Sequence, residues 1–165
     1  MQTRISILMA LIACTYFGCR KDMHRGHMHC ENLLTDTLGT RDSCRIYLPS
    51  AFTPNGDGIN DIFSPAIFNA KSITLKIYDD CDDLVYSSSS LYGGWAPAGD
   101  NTYNRIYYYN VQALTSENHH IGLCCEFKSF RCIPNDAQLH LYYFSDQIGY
   151  DGTVYNSNEA MFLCD

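Results

Sequence analysis

Hydrophobic and polar residues alternate with period two in parts of the chain, and such segments are bounded by Gly, Pro, Asn, Asp or Ser. Residues 73–78 show the alternation most clearly, as expected for a strand with one buried face. Residues 106–113 form a longer candidate, in which Tyr107, Tyr109 and Val111 share one face. Short apolar segments predict six further strands, at residues 45–48, 84–86, 122–127, 139–144, 153–155 and 160–163.

These elements predict an all-β fold. After Cys44 no segment carries a helical period for more than two turns. Many short strands divided by turn residues favour an antiparallel β-sandwich over alternating helices and strands. Residues 73–78 and 84–86 are expected to pair as a hairpin, and Trp95 is expected to fill a place in the core.

Composition narrows the class of protein. Of the 165 residues, 46% are hydrophobic and 18% are charged, which is typical of a packed domain rather than a disordered chain. Lys and Arg number 11 against 18 Asp and Glu, so the formal net charge is −7. A protein that binds nucleic acid through its phosphates needs a basic surface, so this class is excluded.

The first residues predict export from the cytoplasm. Arg4 is followed by an apolar run over residues 5–13, which is too short to span a bilayer because a spanning helix needs about 20 apolar residues. We assign residues 1–18 to a signal peptide. Cys19 is the predicted lipidation site, with Cys14 as the alternative, and a plain secretory peptide without lipid is the competing interpretation.

Two further regions follow the predicted signal peptide. Residues 19–43 are polar and lack periodicity, which predicts a flexible linker or tether, and residues 44–165 form the predicted domain. The chain is expected in the cell envelope, at the outer membrane or on the cell surface.

The cysteine content also fits an oxidising compartment, where disulfides are the default. The adjacent Cys124 and Cys125 are expected to reach different partners rather than each other. A zinc site would rest on the histidines of residues 24–29 beside Cys30, but the chain lacks paired Cys-x-x-Cys or His-x-x-x-His units. Connectivity does not follow from spacing; the disulfide candidates are Cys30, Cys44, Cys81, Cys124, Cys125, Cys132 and Cys164.

Residues 48–63 are the most specific segment of the sequence. Their Asn-Gly-Asp-Gly stretch supplies residues that adopt positive φ and side-chain oxygens that bond their own backbone. The spacing of Asn55, Asp57 and Asp61 resembles a calcium loop with Gly58 at the sharp turn, although the opening and closing carboxylates are missing. Bound calcium and a self-satisfied turn both stay open as interpretations.

A family resemblance rests on the same segment. Residues 49–63 read Pro-x-Ala-Phe-Thr-Pro-Asn-Gly-Asp-Gly-x-Asn-Asp-x-Phe, which resembles the opening of the gliding motility-associated C-terminal domain, the type B sorting domain of type IX secretion. The predicted hairpin, the Gly-Trp pair at residues 94–95 and the aromatic run at residues 107–111 are similar to later parts of that family. The resemblance is strongest over residues 44–114, whereas residues 115–165 diverge.

The resemblance implies an immunoglobulin-like sandwich that directs export across the outer membrane and helps to hold a protein on the cell surface. We therefore predict a non-enzymatic, disulfide-stabilised envelope or surface lipoprotein that acts in secretion, surface attachment or adhesion. Its expected partners are the membrane, through the lipid, and the secretion machinery or a surface glycan or protein. The sequence contains no nucleophile elbow, phosphate loop or His-Glu-x-x-His motif.

A second hypothesis is a module that binds glycans or proteins. Tyr107, Tyr109 and Tyr142 could present their rings on one sheet face. The competing interpretation is that these tyrosines fill the core and its rim. Burial in the structure distinguishes the two.

Overall fold

The computed structural model describes residues 30–38, 43–98, 104–132, 142–149 and 152–159. These residues contain seven strands, one short 3₁₀ helix at Ser145–Gln147 and no α-helix, which confirms the predicted all-β fold. No helix among them is long and apolar enough to cross a membrane. The strands are β1 (Arg45–Tyr47), β2 (Ala51–Phe52), β3 (Ala66–Phe68), β4 (Ala70–Tyr78), β5 (Leu84–Ser88), β6 (Ile106–Thr115) and β7 (His120–Ser129).

The strands form two sheets. The larger has the order β2-β7-β6-β4-β5, and the smaller pairs β1 with β3. All pairs are antiparallel except β2 with β7, which is parallel and only two residues long. The predicted hairpin is β4 with β5, and it contains a register shift between Ile77 and Tyr78.

Strand β6 is the centre of the larger sheet because it pairs along its length with both β4 and β7. Its residues Tyr107, Val111, Ala113 and Thr115 are buried, and these all lie on the face that the period-two pattern predicts. On β4 the buried residues alternate in the same way. The inner face of the sheet is therefore continuous across β4, β6 and β7.

Aromatic rings dominate the core on this inner face. Phe52 is fully buried, and its ring centroid lies 5.7–6.4 Å from those of Phe63, Trp95, Tyr107 and Phe127. Trp95 is 7% exposed, so the prediction that it belongs to the core is confirmed. Partly buried Ile46 and Ile67 of the small sheet pack against this cluster, together with Leu48 just after β1. Two packed layers result, as a sandwich requires.

Five of the predicted strands are confirmed, with bounds that differ by a few residues: β1, β4, β5, β6 and β7. Strands β2 and β3 were not predicted, because two or three residues are too few to show a period. Residues 142–144 form no strand, although the Tyr143 carbonyl accepts hydrogen bonds from the amides of Ser50 and Ala51. Val154 makes only an isolated bridge to Ile148, and residues 160–163 lie outside the described residues.

Part of the predicted linker is docked on the domain. Cys30 forms a disulfide with Cys124 of β7. Further along, the Asp36 amide donates to the His120 carbonyl (2.9 Å), and the Thr35 hydroxyl both accepts from and donates to the backbone of Gly122 (3.1 and 3.3 Å). Residues 30–38, which we call the strap, are therefore held against β7 rather than free.

Gly122 allows the strap to lie this close. A Cβ at this position would come 2.7 Å from the Cβ of Leu33 and 3.0 Å from the Leu34 carbonyl oxygen. Side chains cannot approach so closely, and the second of these atoms belongs to the backbone and cannot rotate away. A larger residue at position 122 would have to push the strap outward.

The other cysteines divide between disulfides and thiols. Cys81 and Cys132 are disulfide-bonded, whereas Cys44 is a buried thiol and Cys125 an exposed one. The neighbours Cys124 and Cys125 do not pair with each other, in line with the sequence prediction. Cys14, Cys19 and Cys164 lie outside the described residues.

Truncation of Phe52 tests the aromatic core. Phe52→Ala should lower the free energy of unfolding by about 3–5 kcal/mol, because a fully buried ring leaves a cavity among four others. Tyr92→Ala is the matched control, since Tyr92 is 92% exposed and should change stability by less than about 0.5 kcal/mol. Urea denaturation measures both; equal effects would contradict this description of the core.

Removal of Cys30 tests the strap. Cys30→Ser opens a disulfide that joins residues 94 apart, so stability should fall by about 2–5 kcal/mol under oxidising conditions. Limited proteolysis should then cut within residues 30–38. Cys125→Ser removes a thiol outside any disulfide and should behave like the unmodified chain in both assays. A strap that stays protected in Cys30→Ser would mean that its hydrogen bonds alone suffice.

Candidate functional site

The most ordered polar feature is the segment of residues 53–61, which we call the signature loop. It begins after Phe52 and ends shortly before Phe63, and both phenylalanines are fully buried. The Phe63 backbone is further fixed by a two-way bridge to Trp95, with N to O distances of 2.8 and 3.0 Å. The loop must therefore leave the core and return to it at defined points.

Within the loop, carboxylates bind backbone amides. Asp61 accepts hydrogen bonds from the amides of Gly56 (2.6 Å) and Gly58 (2.7 Å), one with each oxygen. Asp57 accepts from the Ile59 amide (2.8 Å), and Asn55 accepts from the Asp57 amide (3.0 Å). These are the self-satisfied turns that the sequence offered as one interpretation.

Two glycines make this chain path possible. Gly56 and Gly58 have φ of 84° and 89°, in the region that L side chains rarely adopt. Nothing else lies within 4 Å of a Cβ built at either position, so the requirement is for the backbone conformation alone. Substitution there would strain the loop without crowding it.

The predicted calcium ligands Asn55, Asp57 and Asp61 thus already use their oxygens within the loop. Calcium needs six to eight oxygen ligands, and a bound ion would have to displace some of these amides. In the described part of the chain, the group of side chains close enough to share a metal is elsewhere, at Asp79, Asp80 and Cys81. The calcium site stays a prediction for the loop.

The side chains of Asp79, Asp80 and Cys81 are already bonded to other groups of the protein. Arg105 donates to Asp80 and lies 3.6 Å from a carboxylate oxygen of Asp79, and the bond to Asp80 raises the pKa of the guanidinium. Asp79 also accepts from the amides of Cys81 and Asp83. Cys81 is disulfide-bonded, so it offers no thiolate. Arg105 therefore offsets part of the negative charge of this turn, and the hydrogen bonds give the turn a structural role.

The C-terminal part of the chain contacts the signature loop through Glu159. One carboxylate oxygen accepts from the Thr53 hydroxyl (2.6 Å) and the Asn60 amide group (3.2 Å), and the other accepts from the Asn55 amide group (3.2 Å). Three side chains of the loop therefore share one carboxylate. Sequence reasoning missed Glu159, since no motif surrounds it.

Asp146 makes a second contact of the same kind. The side chain of Asn60 donates to Asp146 (3.0 Å) and accepts from the Asp146 backbone amide (3.0 Å). The Ser157 hydroxyl and the Asn158 amide also donate to Asp146, at 2.8 and 2.7 Å. The donor and the acceptor of the Asn60 side chain are thereby both bonded to a residue far along the chain.

In the part of the chain that the structure describes, the partners of these carboxylates are neutral. No described Lys or Arg forms an ion pair with Asp57, Asp61, Asp146 or Glu159. Burial raises the pKa of Glu159 and the charge of Asp57 adds to this, whereas the hydrogen bonds from Thr53, Asn60 and Asn55 lower it. Hydrogen-bond donors of the loop, not a cation, hold the Glu159 carboxylate.

A cleft of about 400 Å³ opens beside the loop. The half-exposed Ile62 forms an apolar part of it. The cleft lies between the loop and the 3₁₀ helix, and its lining residues are Gly58, Asn60, Asp61, Ile62, Ser145 and Asp146.

The three tyrosines of the predicted ring-binding face differ in burial. Tyr107 is 2% exposed and belongs to the aromatic core, so its proposed role in binding is corrected to packing. Tyr109 packs against the same core, with its ring 6.2 Å from that of Phe127. The Tyr142 hydroxyl accepts from Lys128 (2.8 Å), and its ring packs edge-on against Phe130. Tyr109 and Tyr142 are both partly exposed, so a binding role for these two stays a prediction.

Residues 46–123 match the family model of the CHU_C type IX secretion signal domain. The match confirms the resemblance drawn from residues 49–63. These residues form a type IX secretion signal domain, the sorting module of exported proteins, and the chain is accordingly that of an exported envelope or surface protein. Comparison with curated proteins found no match, and comparison with solved structures found none either.

The matched region contains the signature loop and most of the sandwich, from β1 into β7. Asp146, Glu159 and the strap lie outside the matched region. The loop is thus a family feature, and its outer contacts lie in parts of this chain that the family model does not include.

Titration of Tyr109 tests its burial. Desolvation, with a smaller contribution from Cys125, raises the pKa of Tyr109 to about 12. Because the folded pKa is raised, the phenol stabilises the fold fully below pH 10, the ordinary value, and this stabilisation is lost as pH rises through about 12. Absorbance at 295 nm should show that Tyr109→Phe removes a late-ionising tyrosine.

Tyr92→Phe provides the control for this titration. Tyr92 is almost fully exposed, so its replacement controls for the loss of one phenol without a change in the core. If Tyr109→Phe left the late absorbance change in place, the Tyr109 ring would be solvated, and its assignment to the core would be wrong.

Proposed function

We propose that this chain is a non-enzymatic lipoprotein of the cell envelope, displayed at the outer membrane or cell surface, whose sorting domain acts in secretion and surface attachment. The observation that carries the proposal is the match of residues 46–123 to the type IX secretion signal domain. The signature loop of that domain is fixed at both ends by buried phenylalanines. A rigid exposed loop suits recognition by another protein, because little conformational entropy is lost on binding.

The lipid anchor at Cys19 is a proposal based on the sequence. A single acyl chain binds membranes only marginally, whereas the multiple chains of a bacterial lipoprotein anchor stably. The strap supports a surface role, since the disulfide at Cys30 would attach a tether from Cys19 directly to β7. A lipid at Cys14 is the alternative.

The absence of catalysis is likewise proposed from the family and from the site. The carboxylates around the signature loop accept hydrogen bonds from amides and hydroxyls, and in this way they hold the loop in its conformation. Adhesion through a surface partner is compatible with this arrangement. The burial of Tyr107 argues against a ring platform for glycans.

The full chain, expressed in a bacterium that uses type IX secretion, tests the proposal. Mass spectrometry of the membrane-purified protein should show acylation of Cys19, and external protease should digest the chain on intact cells. Cys19→Ser should move the protein to the soluble fraction. Cys14→Ser is the matched control and should leave it in the membrane.

A strain without the type IX outer-membrane pore separates sorting from anchoring. There the chain should be acylated but protected from external protease. Unchanged digestion in that strain would show that the domain does not use this route, and a chain acylated at neither Cys19 nor Cys14 would remove the lipoprotein assignment.

A further inference from the structure

The C-terminal residues that contact the signature loop form a small unit of their own. Ile148 pairs with Val154, the Gly149 amide donates to the Thr153 carbonyl (2.9 Å), and the Tyr155 amide donates to the Gln147 carbonyl (2.8 Å). Residues 142–149 and 152–159, which we call the clamp, thus double back beside the loop.

The clamp also packs against the first strand of the domain. Gly152 has a φ of 82°, and a Cβ at its position would come 2.3 Å from the Tyr47 hydroxyl oxygen. Glycine is therefore required there both for the backbone conformation and for the close approach. Besides the loop and β1, the clamp contacts Ser50 and Ala51 through the Tyr143 carbonyl, and its buried Phe144 packs with Ala51 and Phe130.

The loop cannot satisfy all its own donors. Its internal bonds use Asp57 and Asp61 on backbone amides, but they leave the side-chain amide of Asn60 without an acceptor inside the loop. Asn60 is buried, so an unmade hydrogen bond there would cost free energy. Acceptors for this group come from the clamp.

Glu159 is the common acceptor for three loop side chains. The Asn55 amide group also reaches Asp57 (3.1 Å), and the Thr53 hydroxyl lies 3.3 Å from the Ile59 carbonyl oxygen, so both have a second acceptor. Among the described residues, the side chain of Asn60 bonds to the clamp, at Asp146, Ser157 and Glu159. Loss of the clamp should therefore loosen the loop mainly at its Asn60 end.

We propose that Glu159 and Asp146, outside the family match, are positioning residues that hold the signature loop in the conformation by which the exported chain is recognised. This proposal rests on the proposed sorting function. It adds that residues of the same chain control the conformation of the signature loop. Both act through the hydrogen bonds of Asn60, and neither has to touch the secretion machinery. The clamp makes recognition dependent on the completed C-terminal fold.

Hydrogen exchange on the full oxidised chain tests the clamp directly. In Glu159→Ala, amides of residues 53–61 should exchange about tenfold faster, because charge-assisted hydrogen bonds to the loop are lost. Amides of β6 should keep their protection, which shows that the sandwich is folded. Glu117→Ala, at an exposed turn, is the matched control and should change neither region.

Glu159→Asp keeps two acceptor oxygens on a shorter side chain and should restore part of the protection. This partial rescue distinguishes positioning by hydrogen bonds from general loss of packing. If the loop amides of Glu159→Ala exchanged as slowly as those of the unmodified chain, the proposed role of the clamp would be overturned.

Surface delivery, measured by external protease on intact cells, then tests the role in recognition. Delivery should fall in Glu159→Ala, recover in part in Glu159→Asp and stay unchanged in Glu117→Ala. Normal delivery of a variant with a loosened loop would overturn the positioning role. Pore-independent delivery of the unmodified chain would instead contradict the sorting function, while the exchange result would still decide whether the clamp exists.

Discussion

The burial of Phe52 and Phe63 is the constraint on which the rest of the structure depends. Both rings belong to one aromatic cluster, and both flank the signature loop in sequence. Moving either ring would uncover a large apolar area, so the two ends of the loop are as fixed as the core itself. The hydrogen bonds of the loop then have to fix the backbone conformation of only a few residues. A few carboxylates and two glycines are enough to do this.

The loop in turn determines where the C-terminal part of the chain can lie. Asn60 presents both a donor and an acceptor at the point where the loop returns to the core, and Asp146 bonds to both. Glu159 reaches the same residue from a second position. Since four carboxylates gather here without a described basic side chain, the geometry of neutral donors has to hold them together. Order in this region depends on hydrogen bonds, whereas order in the sandwich depends on packing.

This difference explains what the sequence could predict. The alternation in β4 and β6 records one buried face within each strand, so those strands and the burial of Val111 follow from local pattern. The turn chemistry of Asn55 to Asp61 is also local. The bond from Thr53 to Glu159 spans 106 residues, and the strap disulfide spans 94, so neither leaves a local signal. For Tyr107 the sequence leaves both a binding face and the core open, because periodicity gives the side of a strand but not what covers it.

The matched family region and the two additions to it are stabilised differently. Residues 46–123 contain most of the aromatic core, with Phe127 the main member outside. The strap adds a disulfide and backbone bonds at the exposed part of β7, and the clamp adds hydrogen bonds at the loop. Neither addition supplies a ring to the central cluster. Sequence changes in them can therefore alter how the loop and the tether are presented while the central aromatic cluster keeps its rings.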